Sequence, residues 1–187
     1  SIPIIIVFGF LIKKEDGGPV FYKQDRLGKD GRIIFIYKLR SMRINSETNG
    51  AIWAEKNDPR ITKVGKFIRK TRIDEIPQFL NILKGEMAII GPRPALWNQD
   101  DLADERDKYG ANDVLPGLSG WAQINGRDEL PIPIKARLDG DYVNNMSFIF
   151  DIKCIIGTVL SVVKSDGVVE GGTGVIEKAK KDLKENK

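Results

Sequence analysis

Histidine is absent from this chain of 187 residues, and cysteine occurs once, as Cys154. Without histidine the chain cannot build a Ser-His-Asp or Cys-His catalytic group, a histidine-ligated zinc site or a histidine general base. A single cysteine excludes an intramolecular disulfide, and its isoleucine neighbours indicate a buried or lipid-facing, inert thiol. Carboxylates, lysines and arginines must therefore carry any chemistry.

Short motifs that bind a known nucleotide or metal are also missing: the sequence contains no P-loop, no Rossmann glycine pattern and no EF-hand. It has no internal repeat either. The charge balance is mildly positive, with 30 lysines and arginines against 26 aspartates and glutamates. That excess is compatible with anionic lipid, nucleotide phosphate or nucleic acid, and does not choose among them. The length and a hydrophobic fraction of 41% predict one folded domain with a real core.

Long apolar runs are few, and the first lies at the amino terminus. Residues 1–12 (SIPIIIVFGFLI) carry no charge and precede Lys13 and Lys14. As a helix this run would be about 18 Å long, shorter than the ~30 Å hydrocarbon core of a bilayer, and it lacks the features of a signal peptide. We interpret residues 1–14 as the C-terminal part of a membrane-inserted helix, spanning or re-entrant. A buried strand is the weaker alternative, because no polar residue alternates along the run.

Strands and helices are predicted along the remaining residues, 15–187. Residues 20–22 and 33–37 favour the two strands of a hairpin, with turn-rich residues 25–32 between them and a polar loop at 45–57. Helical patterns cover residues 63–70, 76–83, 100–108, 136–142, 147–163 and, after a glycine hinge at 171–174, 178–187. The predicted fold class is α+β, mostly helical with a small β-hairpin.

The helix predicted at residues 147–163 has a broad apolar stripe, and Asp151 and Lys153 are its only charged residues. So apolar a helix packs in a core or lies in a membrane interface. Because few polar residues stand opposite the stripe, we favour partial contact with lipid.

Residues 69–77 (RKTRIDEIP) place three cations directly before Asp74 and Glu75. Pro77 is tolerated in a helix only in the first turn, so both carboxylates are predicted at or just before a helix N-terminus. Unpaired amides and the positive end of the helix dipole favour anions there. An ionised aspartate beside cations suits a nucleophile that attacks phosphorus. An N-cap aspartate within a surface charge run explains the same residues equally well.

Arg93 stands between Pro92 and Pro94, which leave its backbone little freedom. A guanidinium held in place is most useful where a phosphate must be bound by two parallel hydrogen bonds. A rigid loop that ends a strand is the alternative interpretation.

Six short motifs occur in the order seen in one protein family. They are residues 18–22 (GPVFY), 37–42 (YKLRSM), 74–78 (DEIPQ), 83–87 (LKGEM), 91–94 (GPRP) and 116–121 (PGLSGW). From about residue 13 to residue 163 the chain resembles the bacterial sugar transferases, that is, the monotopic polyprenyl-phosphate phosphoglycosyl transferases. Its compact length resembles the minimal catalytic form that acts in bacterial N-linked glycosylation.

The resemblance implies a reaction and a set of site residues. A sugar-1-phosphate would pass from a UDP-sugar, UDP-N,N'-diacetylbacillosamine by the nearest resemblance, to undecaprenyl phosphate, with release of UMP. Asp74 would attack the sugar-bearing phosphorus and form a covalent intermediate, and Glu75 would bind Mg²⁺. The phosphate-binding candidates are Arg69 and Arg93, followed by the weaker Arg72, Arg40 and Arg127; any of these arginines can instead form a surface salt bridge.

The resemblance also implies a place in the cell: the cytoplasmic face of the bacterial inner membrane, with a re-entrant helix bent near Ser1 and Pro3. Membrane lipid and downstream glycosyltransferases would be partners, and nucleic acid would not. Two other classes stay open. A non-catalytic basic protein that binds membrane or nucleic acid gives no role to Arg93 or the two acids. A Mg²⁺-dependent phosphohydrolase with an aspartate nucleophile is disfavoured because the usual Asp-x-Asp pair is missing.

Overall fold

A computed structural model describes residues 2–44, 46, 58–126 and 130–163. Its helices are α1 (Ile2–Asp16), α2 (Lys63–Lys70), α3 (Phe79–Leu83), α4 (Asp100–Asp107), α5 (Trp121–Ile124), α6 (Ile132–Asn144) and α7 (Phe148–Val163), with a 3₁₀ helix at Ile73–Gln78. Its strands are β1 (Phe21–Leu27), β2 (Ile33–Leu39), β3 (Ala88–Ile90) and β4 (Gly117–Ser119). The α+β class is confirmed. Apart from Ser46, the loop predicted at 45–57 lies outside the described residues, as do the hinge and helix predicted beyond residue 163.

Strands β1 and β2 form the predicted antiparallel hairpin, with Phe21 opposite Leu39 and Leu27 opposite Ile33. The hairpin is longer than the sequence pattern indicated, because residues 25–27 continue the strand instead of beginning the turn. Asp25 is exposed, so its charge stays in water while its backbone pairs with Phe35. The chain reverses after Gly28, where Asp30 and Gly31 take positive φ angles of 55° and 70°.

A second, parallel sheet joins β3 to β4, pairing Ala88 with Gly117 and Ile90 with Ser119. The two chains come so close that a Cβ atom on Gly117 would lie 2.1 Å from the Gly91 nitrogen. Only glycine fits at this position. Just past the sheet, Gly91 N–H donates to Ser119 O at 2.9 Å and Gly117 N–H donates to Pro92 O at 2.8 Å.

Helix α1 packs against the hairpin and α2 through a small core of Ile12, Leu39 and Ile68. The Glu15 carboxylate accepts hydrogen bonds from the first backbone amides of α2, at 2.7 Å from Lys63 N and 3.0 Å from Val64 N. A carboxylate at this end of a helix satisfies amides that have no partner within the helix. The opposite face of α1 leaves apolar side chains exposed: Ile2, Ile4, Ile6, Val7, Phe10 and Leu11.

Helix α7 is likewise buried on one side only. Cys154 is fully buried beside Ile90 and Tyr142, which confirms the buried alternative of the prediction for this thiol, and burial raises its pKa to about 11. Its outer face exposes Phe148, Ile149, Ile152, Ile155, Ile156, Val159 and Leu160. Among the residues that the structure describes, none of the helices combines the length and apolar character needed to cross a bilayer.

A buried ion pair joins α4 to α6. The Arg106 guanidinium donates to Asp139 Oδ2 from Nε at 2.8 Å and from a terminal nitrogen at 2.5 Å, and the two side chains are 3% and 1% exposed. Burial raises the pKa of Asp139, although Arg106 opposes that rise. Its second oxygen, Oδ1, has no hydrogen-bond partner within the described part of the chain. The pair therefore tolerates little change on either side.

We expect Asp139→Asn to destabilise the fold by about 3 kcal/mol, because it leaves the Arg106 charge buried without its counter-ion. Urea unfolding measures the loss. Asp141→Asn, at an exposed position of the same helix, serves as the control and should change stability by less than about 0.5 kcal/mol. Equal, small effects of both substitutions would show that the Arg106 charge does not depend on Asp139.

Candidate active site

Asp74 and Glu75 lie in the first turn of the 3₁₀ helix Ile73–Gln78, between α2 and α3. The predicted placement of both carboxylates at the start of a helical segment is confirmed, but the α-helix itself begins later than predicted, at Phe79. Pro77 has no N–H to donate, and it lies in the 3₁₀ turn directly before α3.

Arg72 makes the sharp turn that separates α2 from the acidic residues. Its φ angle of 59° is in the left-handed region, which a residue with a side chain rarely adopts. The turn brings the last residues of α2 back toward the 3₁₀ helix. One terminal nitrogen of Arg72 lies 3.8 Å from Glu75 Oε2 as a result.

Glu75 is a buried carboxylate surrounded by cations. Arg93 donates to its Oε1 at 2.7 Å, and only 8% of Glu75 is exposed. Burial alone would raise the pKa of Glu75, but the charges of Arg93, Lys38 and Arg72 outweigh burial and lower it to about 2. Glu75 therefore stays ionised over the whole physiological pH range.

Asp74 is half-buried, and its electrostatics are opposite to those of its neighbour. Burial, followed by the negative charge of Glu75, raises the pKa of Asp74 to about 6, against the opposing charges of Lys38, Arg69 and Arg93. Two adjacent carboxylates thus acquire different properties from their surroundings. Glu75 is a permanent anion, whereas Asp74 is a more basic carboxylate that is still ionised near neutral pH.

Lys38 is a site residue that the sequence patterns did not single out. It lies on β2, half-buried opposite Tyr22, and its charge acts on both Asp74 and Glu75. Burial and the charges of Arg93 and Arg26 lower its pKa to about 8, against the two carboxylates. The available signal was strand alternation: Lys38 lies two residues after the buried Ile36 and therefore on the same face of the hairpin. A lysine on a buried face needs an anionic partner.

The loop that carries Arg93 is held at both ends. Before Arg93, Gly91 and Pro92 bond to β4 as described above. After it, the Pro94 carbonyl accepts a hydrogen bond from Arg26 at 3.0 Å. The predicted loop after a strand is therefore found, held by hydrogen bonds at both ends, and within it the Arg93 guanidinium donates to Glu75.

The predicted arginines do not all gather at this site. Arg69, Arg72 and Arg93 lie around the two carboxylates. Arg40 instead forms an ion pair with Asp16 and donates to Pro19 O at 2.5 Å, which ties the end of α1 to the end of β2. Arg127 lies outside the described residues. Phosphate binding by any of these arginines stays a prediction.

The chemistry of Glu75 is compatible with the predicted magnesium ion, which stays a prediction. Within the described ranges, no three acidic or cysteine side chains form a cluster that could hold a metal. Mg²⁺ nevertheless keeps several waters and needs only one or two protein carboxylates, provided that they are ionised. Glu75 meets that condition, and its Oε2 is separated from Arg72 by 3.8 Å, a longer contact than the one Arg93 makes to Oε1.

Comparison with known proteins places the chain in a family. Residues 1–165 match the family described as bacterial sugar transferase, and the chain belongs to that family. The sequence resemblance that rested on six short motifs is therefore confirmed at the level of the family.

Relatives with curated names are similar over most of this chain. The UDP-N-acetylgalactosamine-undecaprenyl-phosphate N-acetylgalactosaminephosphotransferase of Aeromonas hydrophila is 42% identical over 173 residues, covering 88% of this chain and 40% of that protein. The UDP-glucose:undecaprenyl-phosphate glucose-1-phosphate transferase of Escherichia coli K12 is 39% identical, covering 84% of this chain and 35% of that protein. The uncharacterized sugar transferase EpsL of Bacillus subtilis is 40% identical, covering 88% of this chain and 81% of that protein. The chain thus spans well under half the length of the first two relatives.

In the metal-free protein, we expect the Asp74 carboxyl to titrate with a midpoint near pH 6, as followed by carbon-detected NMR. Glu75→Gln should lower that midpoint, because the negative charge of Glu75 raises the pKa of Asp74. Glu105→Gln, on α4, is the control and should leave it unchanged. An ordinary aspartate midpoint near 4 in the unaltered protein would contradict the predicted raised pKa.

Proposed function

We propose that this chain transfers a sugar-1-phosphate from a UDP-sugar to undecaprenyl phosphate, with release of UMP, through a covalent intermediate on Asp74. The observation that carries the proposal is the pairing of a half-buried, ionisable Asp74 with the cations Lys38, Arg69 and Arg93. A carboxylate alone would repel a diphosphate, whereas this surrounding positive charge offsets the repulsion. Two of the three relatives, those from Aeromonas and Escherichia, act on undecaprenyl phosphate according to their names.

In the first step, an Asp74 carboxylate oxygen attacks the phosphorus that bears the sugar. The new bond joins aspartate to that phosphorus, and the bond to the bridging oxygen breaks, so UMP leaves with the bonding electrons. Because Asp74 attacks as a carboxylate, no base has to remove a proton. The arginines and Lys38 stabilise the negative charge that develops on the phosphoryl oxygens and on the departing UMP.

In the second step, a phosphate oxygen of undecaprenyl phosphate attacks the same phosphorus. The bond to Asp74 breaks, the carboxylate is restored and the diphosphate-linked lipid product leaves. Dividing the transfer in this way means that two bulky polyanions need not occupy the site together. Glu75 does not react; it holds Arg93 in place.

Mg²⁺ fits this reaction as a cofactor held by Glu75, with Asp74 beside it. When bound, the ion would neutralise diphosphate charge. The ionised state of Glu75 at all physiological pH values supports this assignment.

The exposed apolar faces of α1 and α7 support a place at the membrane. We propose that these faces contact the lipid of the inner membrane at its cytoplasmic side, with α1 as the end of a re-entrant helix. One substrate is soluble and the other cannot leave the bilayer, so a site at the interface reaches both. Lys13 and Lys14, both exposed near the end of α1, add attraction to anionic lipid.

The donor sugar and the pathway are further parts of the proposal. The sequence resemblance favours UDP-N,N'-diacetylbacillosamine and N-linked protein glycosylation, whereas the names of the relatives mention N-acetylgalactosamine and glucose. A parallel assay with these three UDP-sugars decides among them. Downstream glycosyltransferases would then act on the lipid-linked product.

The decisive experiment tests Asp74 directly. The protein is incubated with radiolabelled UDP-sugar and Mg²⁺ without lipid acceptor, and the labelled peptide is located by mass spectrometry. We expect the phosphosugar on Asp74, and we expect Asp74→Asn to lower transfer by at least ~10³-fold because the nucleophile is lost with little change in volume.

Asp141→Asn is the matched control, since it makes the same chemical change at an exposed position outside the site. An adduct on another residue, or near-normal transfer by Asp74→Asn, would remove Asp74 from this role. A phosphohydrolase would release UMP and sugar phosphate without lipid in repeated turnovers, and a binding protein would release no UMP.

We expect the double substitution Phe148→Ser with Ile149→Ser to weaken binding to anionic lipid vesicles by roughly tenfold or more, because a fully buried side chain of this kind contributes about 1.5–3 kcal/mol. Both residues are 80% exposed, so the fold should be unaffected. Vesicle flotation measures binding. Ile33→Ser, on the hairpin, is the control. Unchanged binding of the α7 variant would show that this face does not enter lipid.

A further inference from the structure

Arg26 is a buried cation of β1 whose guanidinium donates hydrogen bonds to the loop of Arg93 and to Gln24. It is 8% exposed, which is unusual for arginine. One terminal nitrogen donates to Pro94 O at 3.0 Å, the residue directly after Arg93. Its Nε and its other terminal nitrogen both donate to Gln24 Oε1, at 3.1 and 2.7 Å.

The hairpin backbone strengthens this attachment. Leu27 N–H donates to Ala95 O at 2.9 Å, and Arg26 forms an isolated β-bridge with Leu96. On the other side of the loop, the β3–β4 sheet holds Gly91 and Pro92. Arg93 is thus the central residue of a short segment fastened to two separate sheets.

Gln24 gives the guanidinium of Arg26 a fixed orientation. Because its carbonyl oxygen accepts two hydrogen bonds from the same guanidinium, that planar group cannot rotate freely, and its remaining nitrogen is aimed at Pro94. A lysine could donate to Pro94 O but could not also use this two-point support. The arrangement therefore needs arginine.

We propose that Arg26 is a positioning residue, which acts through the Pro94 carbonyl to hold Arg93 on Glu75. Its role in catalysis rests on the proposed function, whereas its effect on the Arg93–Glu75 contact does not. In the transfer reaction Arg26 touches neither substrate. It fixes the distance between Arg93 and Glu75, and hence the place at which the Arg93 guanidinium meets the donor phosphates.

In the transfer assay, we expect Arg26→Met to lower kcat at least tenfold while the KM for the UDP-sugar changes less than threefold. Arg26→Lys should recover part of kcat, because it restores the bond to Pro94. Asn112→Ala serves as a control for stability alone: it removes side-chain hydrogen bonds to Ala103 O at 2.9 Å and to Asp107 Oδ1 at 2.6 Å, which belong neither to the Arg93 loop nor to the strands that hold it. A similar loss of kcat in Asn112→Ala, or none in Arg26→Met, would overturn the catalytic role.

A second measurement does not depend on activity. Urea unfolding of Arg93→Met, Glu75→Gln and the double variant gives the coupling between the two side chains, and the same cycle is repeated with Arg26→Met present. The coupling between Arg93 and Glu75 is expressed as a factor in the equilibrium constant of unfolding. We expect this factor to be at least three times smaller in the presence of Arg26→Met than in its absence. An unchanged factor would overturn the proposal even if transfer is observed, and a reduced factor would support it even if the proposed reaction fails.

Discussion

The ion pair between Glu75 and Arg93 is the contact on which the site depends. It joins a 3₁₀ helix to a loop 18 positions later in the chain and keeps Glu75 ionised despite its burial. Burial raises the pKa of Asp74, and the permanent negative charge of Glu75 raises it further, while Arg93 opposes both effects. One contact thus fixes the position of Arg93 beside Glu75 and keeps charged the carboxylate that acts on Asp74.

The sequence was most informative where a chemical constraint is local. Pro77 limits helix geometry within one turn, which placed Asp74 and Glu75 correctly, and Pro92 and Pro94 indicated a fixed loop around Arg93. The apolar periodicity of α7 and the alternation of the hairpin depend only on neighbouring residues, and both elements were found. The strand residue Asp25 was misjudged because a charge on an exposed face costs a strand little.

Long-range contacts were harder to predict. Lys38 reaches the site only because the hairpin packs on the 3₁₀ helix, and Arg40, two residues further along the same strand end, turns to Asp16 instead. Nothing in the local pattern separates these two cations. Likewise, Arg93 suggested a phosphate ligand from its rigidity alone, whereas the structure shows that its guanidinium also secures Glu75. Composition identifies the available charges, and tertiary packing decides which of them meet.

Arg72 places its charge near Glu75 from a strained backbone conformation. A glycine would adopt its φ of 59° without steric penalty, whereas a residue with a side chain is destabilised there by about 1–3 kcal/mol. Glycine, however, would leave Glu75 without one of its cations. At this turn, backbone strain favours glycine, whereas the negative charge of Glu75 favours a cation. The residue present is arginine, so the turn keeps a guanidinium beside Glu75 at the expense of local backbone strain.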